Sequence, residues 1–391
     1  MSERPLYAAL LEPADLLAPL AAALDGTGPA LLPLDPALPP GRIEQLIAEL
    51  RPDAMLTPDG PRRAGRDGAG RPVAEGTAVV VVTSGTTGRP KGVELSAAAL
   101  LHSARASLDR IGARPGERWL CCLPVSHIAG IQVLVRSLVA GTEPVIAGRP
   151  DAGLAAARGG AHVSLVPTQL RRLLGAGADL APFGTILLGG AGAPARLLVE
   201  AAAAGGRVVT TYGMTETCGG CVYDGAPLGG VRVAAGPDGR IRIAGPVLFT
   251  GYRDRHGLAR RAGVGGWFST SDLGSVGPSG RLTVLGRADD VINTGGEKVI
   301  AGEVAAVLES CPAVRAAAVF GRPDDEWGER VTAVIEPADP AAPPDLGTLR
   351  AHVRGVLPAS AAPRELRIVR QLPLLPSGKP DLRRLRTQDP G

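Results

Sequence analysis

The 391-residue sequence predicts an α/β protein of two parts. A large layered αβ N-terminal domain carries a β-rich subdomain, and a small α+β C-terminal domain follows. Three observations predict this. Between Ala78 and Thr211, short apolar runs alternate with stretches of helical period, the pattern of a mostly parallel sheet covered by helices. From about Gly229 the texture changes to short strands and Gly-rich turns. Beyond Gly286-Arg287-Ala288-Asp289-Asp290 a compact unit begins, which divides the chain into 1–286 and 287–391 with a join near Asp289.

Residues 1–77 hold amphipathic helical patterns at Ala14–Leu24 and around Arg42–Leu50, with Pro- and Gly-rich turns between and after them, notably Asp59–Glu75. The β-branched run Ala78–Val82 reads as a buried strand. Helix is expected over Ser96–Gly112, with Leu100, Leu101 and Leu108 on one face. A strand Trp119–Leu123, a helix Ala129–Leu138 and a strand Pro144–Ala147 follow. Next come strand Ala161–Val166, helix Thr168–Leu174, strand Thr185–Leu188, helix Pro194–Ala204 and strand Arg207–Thr211. Pro194 suits a helix start because its missing N–H has no intrahelical partner there. In the β-rich subdomain, strands are expected at Arg240–Ala244, Leu248–Tyr252 and Arg281–Leu285. The C-terminal unit reads as helix Gly302–Glu309, strands Val314–Phe320 and Val331–Glu336, helix Leu346–Leu357 and strand Leu366–Val369.

Composition narrows the function classes. Hydrophobic residues make up 45% and charged ones 20%, a globular profile. The net charge of +4 is not gathered in a basic tract, and aromatics are only 3%, so stacking platforms for nucleic acid are scarce. No uncharged apolar run reaches the ~20 residues of a membrane span. Glu12, Asp15 and Asp25 interrupt the apolar N-terminus, which excludes a secretory signal. Five Cys, an odd number, imply reduced thiols and a cytoplasmic setting. Cys218-Gly219-Gly220-Cys221 has redox spacing but lacks a second ligand pair, so we read its thiols as small residues beside a site.

The chemistry centres on Val82-Thr83-Ser84-Gly85-Thr86-Thr87-Gly88-Arg89-Pro90-Lys91-Gly92, directly after the Ala78–Val82 strand. A loop so dense in Gly, Ser and Thr can turn backbone N–H groups and hydroxyls toward one phosphate chain. It is not a Walker motif, because Pro90 and Gly92 flank Lys91 and no regular helix opens there. The cations sharpen this reading: 39 of the 42 are Arg, and the three Lys (Lys91, Lys298, Lys379) all sit in Gly-containing loops. A compact ammonium is needed at few places, and these stand out.

Four further stretches carry chemistry. Thr210-Thr211-Tyr212-Gly213-Met214-Thr215-Glu216-Thr217 offers a carboxylate for Mg²⁺, a hydroxyl for phosphate and a ring for a flat base; its plain alternative is a helix N-terminus. In Gly266-Trp267-Phe268-Ser269-Thr270-Ser271-Asp272-Leu273-Gly274, one carboxylate can accept from both hydroxyls of a ribose, or simply cap a turn. The charged, Gly-rich stretch Gly286 to Lys298 suits a hinge. Pro373-Leu374-Leu375-Pro376-Ser377-Gly378-Lys379 presents one Lys on a turn.

These five stretches, in this order and over nearly the whole chain, resemble the adenylate-forming superfamily of acyl-CoA synthetases, luciferases and peptide-synthetase adenylation domains. Within it, Tyr212–Val231 and Ser164-Leu165-Val166-Pro167-Thr168-Gln169-Leu170-Arg171-Arg172-Leu173-Leu174 look most like the bacterial o-succinylbenzoate–CoA ligases of menaquinone synthesis. The resemblance implies an acid–thiol ligase whose small domain is mobile, using ATP, Mg²⁺ and coenzyme A. A carboxylic acid would first be adenylated and then transferred to the CoA thiol. By matching motif, Thr83, Ser84, Gly85, Thr86, Thr87, Gly88 and Lys91 would wrap the β- and γ-phosphates. Thr215 would touch the adenylate and Glu216 hold Mg²⁺. Tyr212 would stack on adenine, beside Gly190, Ala191 and Gly213, while Asp272 would bind the ribose and Arg287 would contact ribose or phosphate. His127, Gly189 and Gly219 would line the acyl pocket. Asp289 would be the hinge, and Gly295, Gly296 and Lys298 would line the CoA tunnel. Lys379 would bridge the acyl carboxylate and the α-phosphate.

Two departures stand out. Only 82 residues precede Thr83, so N-terminal elements usual in the superfamily are expected to be absent, and Ala301 sits where Pro is common. The alternatives are a CoA ligase for another aryl or acyl acid, a non-catalytic nucleotide-binding relative, and an adenylation domain of peptide-synthetase type. The last is disfavoured because no carrier domain follows Gly391. Related ligases are usually dimers or tetramers, so a homo-oligomer is compatible with the resemblance.

Overall fold

The computed structural model describes residues 3–64, 70–84, 89–157, 160–260, 264–375 and 380–387, with only the backbone of Ser84, Leu154, Ala155, Ala157, Arg260 and Val264. Gly85, Thr86, Thr87, Gly88 and Lys379 lie outside the described residues.

Two large sheets dominate residues up to 287. The seven-stranded one runs Val145–Ile146, Trp119–Cys121, Ala161–Leu165, Phe183–Leu188, Val208–Met214, Gly219–Tyr223 and Ala226–Pro227. Its first five strands pair in parallel, as strand–helix alternation requires. The eight-stranded sheet places Thr77–Ser84 between Ala30–Pro33 and Pro90–Ser96. Helices Pro13–Asp25, Ala97–Ile111 and Ile128–Ala140 share one core with strands of both sheets: Leu20, Leu100 and Leu134 are 0% exposed, as are Val79 and Trp119. Apolar faces on both sides explain why the Ile128–Ala140 helix is buried almost all round. The outer face of the seven-stranded sheet is covered by Pro167–Gly175 and Ala195–Ala203, and that of the eight-stranded sheet by Pro40–Leu50.

Several elements differ from those expected of the sequence. Residues 1–77 do not consist of two helices and turns alone. They contribute four strands to the eight-stranded sheet, Leu6–Ala9, Ala30–Pro33, Ala54–Thr57 and Gly60–Arg63, the last inside the stretch expected to be turns. Runs of four residues are too short to display a period. The strand expected over Leu248–Tyr252 spans Gly251–Asp254 and leaves the β-rich region to pair with Pro90–Ser96. The strand expected to end at Thr211 continues to Met214, because Gly219–Tyr223 returns along it as an antiparallel partner.

The β-rich subdomain is a four-stranded antiparallel sheet of Arg232–Ala235, Arg240–Ala244, Phe268–Val276 and Leu282–Arg287. Beyond it, a five-stranded sheet carries helices Ala301–Ser310 and Leu346–Arg354 on a core of its own, including Leu308, Val331, Ile335 and Leu349. Among the described residues, no helix is long and apolar enough to cross a membrane.

Candidate active site

Thr83 and Lys91 stand opposite each other in the antiparallel register of the strands Thr77–Ser84 and Pro90–Ser96. Lys91 therefore stands on a strand, and from Gly92 onward that strand is paired on both sides. Its ammonium lies 3.7 Å from the centre of the Tyr252 ring, an attraction between cation and ring face. The Tyr252 hydroxyl in turn donates to Glu216 Oε1 at 2.8 Å. Burial, with Glu216 beside it, pushes the Tyr252 phenol above its usual range, so it stays a donor. Glu216 belongs to the 3₁₀ turn Thr215–Thr217, tied down by the Phe249 N–H on the Glu216 carbonyl at 2.9 Å.

A second cluster forms around Asp272. This residue lies within the strand Phe268–Val276 rather than capping a turn, and the antiparallel register sets it opposite Arg287. Tyr212 donates to Asp272 Oδ2 at 2.8 Å, and Arg287 approaches Oδ1 at 3.4 Å. Arg287 also donates to Asp289 at 2.8 Å. Partial burial disfavours its charge, but Asp289 and Asp272 outweigh that and raise its affinity for the proton. Burial and Asp272 likewise raise the Tyr212 phenol.

Glycines bring the neighbouring loops into contact. A Cβ on Gly213 would sit 2.0 Å from the Gly219 carbonyl oxygen, so the two strands can approach this closely only without side chains. A Cβ on Gly189 would meet Thr211 Oγ1 at 2.4 Å, which sets the Gly189-Gly190-Ala191 loop beside the strand carrying Tyr212. Gly219 faces Ile128 and Gln132 in the first turns of the Ile128–Ala140 helix, whose N-cap is the exposed His127. Of the three residues expected around the acyl group, Gly189 and Gly219 thus border the Tyr212 strand from two sides, and His127 directly precedes Ile128, which Gly219 faces.

Gly295, Gly296 and Lys298 lie elsewhere. They belong to the hairpin of Val291–Thr294 and Glu297–Ile300, where Gly295 donates to the Trp327 carbonyl at 2.9 Å. Lys298 is exposed. The structure does not bring them to Tyr212 or Glu216. Cys218 and Cys221 are free and fully buried, and burial pushes the Cys221 thiol up to about 12. Among the described residues no cluster of three His, Cys, Asp or Glu could hold a metal alone. A cation at Glu216 would need ligand phosphates and water to complete its shell, as Mg²⁺ commonly has.

The sequence reading passed over Tyr252 and the buried pair behind it. Arg253 and Glu94, each 1% exposed at the side chain, meet at 3.2 Å and link the Lys91 strand to the strand that carries Tyr252. The available signal was rarity: with four Tyr in the chain, one in Gly251-Tyr252-Arg253 is conspicuous.

The chain matches two family models: an AMP-binding enzyme over residues 68–237 and an AMP-binding enzyme C-terminal domain over residues 303–379. A probable 2-succinylbenzoate–CoA ligase of Mycobacterium tuberculosis is 45% identical over 380 residues, covering 94% of this chain and 93% of the relative. The 2-succinylbenzoate–CoA ligase of Bacillus pumilus is 36% identical over 279 residues, covering 65% of this chain and 57% of the relative. Among solved structures, the o-succinylbenzoate CoA synthetase (MenE) of Bacillus subtilis, in complex with the acyl-adenylate intermediate OSB-AMP, aligns with a TM-score of 0.80 at 28% identity. That alignment covers 99% of this chain and 89% of the other. ATP-bound MatB of Rhodopseudomonas palustris aligns with a TM-score of 0.81 at 26% identity, over 99% and 89% of the two chains. The chain belongs to the AMP-binding enzyme family.

Proposed function

We propose that this AMP-binding enzyme is an ATP-dependent 2-succinylbenzoate–CoA ligase of menaquinone biosynthesis, an acid–thiol ligase working in the cytoplasm. The observation that carries the reading is the end-to-end relation to a probable 2-succinylbenzoate–CoA ligase, 45% identical over 94% of the chain.

The reaction has two steps. A carboxylate oxygen of the acid attacks the α-phosphorus of ATP, the bond to the leaving pyrophosphate breaks, and an acyl-adenylate forms. The CoA sulfur then attacks the acyl carbon, and AMP departs as the thioester forms. For the first step, Lys91 and the stretch Thr83 to Gly88 take the β- and γ-phosphates. Glu216 is the residue to hold Mg²⁺: Oε1 is occupied by Tyr252, and Oε2 accepts no hydrogen bond among the described residues. The ion, when bound, offsets phosphate charge. Thr215 lies beside the adenylate. Asp272, oriented by Tyr212 and Arg287, presents a fixed carboxylate to the ribose hydroxyls. Tyr212 keeps its ring for adenine, bordered by Gly190, Ala191 and Gly213. His127, Gly189 and Gly219 border the acyl group.

Lys379 is assigned to the meeting of acyl carboxylate and α-phosphate, where neutralising two anions in place lowers the barrier. The unit after Asp289 has its own core, which supports a boundary at 286/287 and rotation there between steps. Rotation would withdraw Lys379 and bring Gly295, Gly296 and Lys298 toward the pantetheine arm. The test is CoA-dependent AMP formation across a panel of acids. A preference for benzoate or fatty acids over 2-succinylbenzoate would refute the substrate.

A further inference from the structure

We infer that Tyr252 is a positioning residue that holds Lys91 and Glu216 apart, keeping both charges available to the ligand. This rests on the reading of Lys91 as a phosphate-binding cation and Glu216 as a metal-holding carboxylate. The two opposite charges face the same ring. The Lys91 ammonium lies 3.7 Å from the ring centre, while Glu216 accepts the phenol hydrogen bond at 2.8 Å. Among the described residues neither forms an ion pair with the other. Without an intervening group, a flexible ammonium and a carboxylate this close would pair, and each would have to be separated again before phosphate and cation could bind. The ring satisfies Lys91 through its face and Glu216 through its hydroxyl, so neither charge is neutralised.

The ring is itself held on a rigid base. It packs against Phe249 at 4.8 Å between centroids, and Phe249 meets Phe268 edge-on at 5.2 Å. Tyr252 lies opposite Val93 on the strand next to Lys91, and the following residue, Arg253, is anchored by Glu94 at 3.2 Å. A carboxylate oriented by a neighbouring hydroxyl is a pre-organised metal ligand, and loss of such a partner commonly costs tenfold or more in affinity.

The experiment titrates Mn²⁺ by electron paramagnetic resonance into wild type, Tyr252→Phe and Glu216→Gln, each saturated with a non-hydrolysable ATP analogue. Tyr252→Phe keeps the ring and loses only the hydroxyl. It is expected to weaken Mn²⁺ binding about tenfold, one hydrogen bond to a charged group read at about 1.4 kcal/mol per decade. Binding of the analogue without metal should stay within about twofold, because the ring under Lys91 is unchanged. Tyr252→Leu should weaken the metal-free analogue about three- to tenfold as well, since the ring is lost. If Glu216→Gln weakens Mn²⁺ and Tyr252→Phe does not, the positioning role is refuted while the reading of Glu216 stands. If neither variant changes Mn²⁺ binding, that reading fails and the inference falls with it. Equal loss of metal-free and metal-dependent binding in Tyr252→Phe would mark general damage to the strand and refute the role too.

Discussion

Replacing Arg253 with Met tests how the strand that carries Tyr252 is braced. The guanidinium is 1% exposed and reaches the carbonyls of Leu50 at 2.7 Å, Pro72 at 3.3 Å and Arg51 at 3.3 Å, and that of Arg71, besides Glu94 at 3.2 Å. One side chain therefore ties the chain around residues 50–72 to the strand that carries Tyr252. Met approximates the volume but removes the buried ion pair that Arg253 makes with Glu94, a loss of about 3–5 kcal/mol. Four carbonyls also lose a donor, which keeps the expected cost at the upper end of that range. Glu94→Gln should be milder, about 1–3 kcal/mol, because the guanidinium keeps its four carbonyls and an amide oxygen. Urea unfolding would be followed in a Trp267→Phe, Trp327→Phe background, where the remaining reporter is Trp119, fully buried in the core shared by the two large sheets. An Arg253→Met cost below about 1 kcal/mol, or a Glu94→Gln cost equal to it, would refute the brace.

Three further outcomes are expected. Lys379→Ala should lower acyl-adenylate formation by about 10²–10³-fold while largely sparing thioester formation from supplied acyl-adenylate, measured by single-turnover assays of each half-reaction. Equal loss in both would remove Lys379 from the first step. Asp272→Asn should raise the KM for ATP about tenfold or more, as a charged acceptor becomes neutral, with the KM for CoA little changed. The third concerns acid stability. Burial alone would raise the Glu117 carboxyl, but the Arg114 N–H, His162 at 2.9 Å and the Arg114 guanidinium hold it down at about 2, against an ordinary 4.5. Its folded affinity for protons is below its unfolded one, so its stabilisation is present above pH 4.5 and is lost as pH falls from there toward 2. Glu117→Gln should flatten urea midpoints across that window, and an unchanged acid limb would contradict the assignment.

The motif loops were legible because each rests on a local signal. A β-branched run followed by Gly, Ser and Thr announces a strand and a polar turn whatever surrounds it. Rarity of Lys singled out three positions without any knowledge of the fold. The N-terminal strands were illegible for the opposite reason. Leu6–Ala9, Ala30–Pro33 and Ala54–Thr57 are four residues each, and parallel pairing across intervening helices stabilises them only once the sheet exists. The strand expected at Leu248–Tyr252 shares the local texture of the β-rich region, short strands and Gly-rich turns, which says nothing of its partner. Its actual partner, Pro90–Ser96, lies far earlier in the chain.

By itself the sequence determined the class of chemistry and the inventory of charged and polar groups: Lys91, Glu216, Asp272, Arg287 and Lys379 all stand in short, self-announcing stretches. Tertiary structure alone decided how those groups are oriented. Tyr212 finds Asp272 across 60 positions, Tyr252 finds Glu216 across 36, and Arg253 finds Glu94 across 159. Such pairings leave no periodicity and no spacing to read. They arise when buried polar groups, brought together by sheet register, must satisfy one another or carry the cost of being left alone.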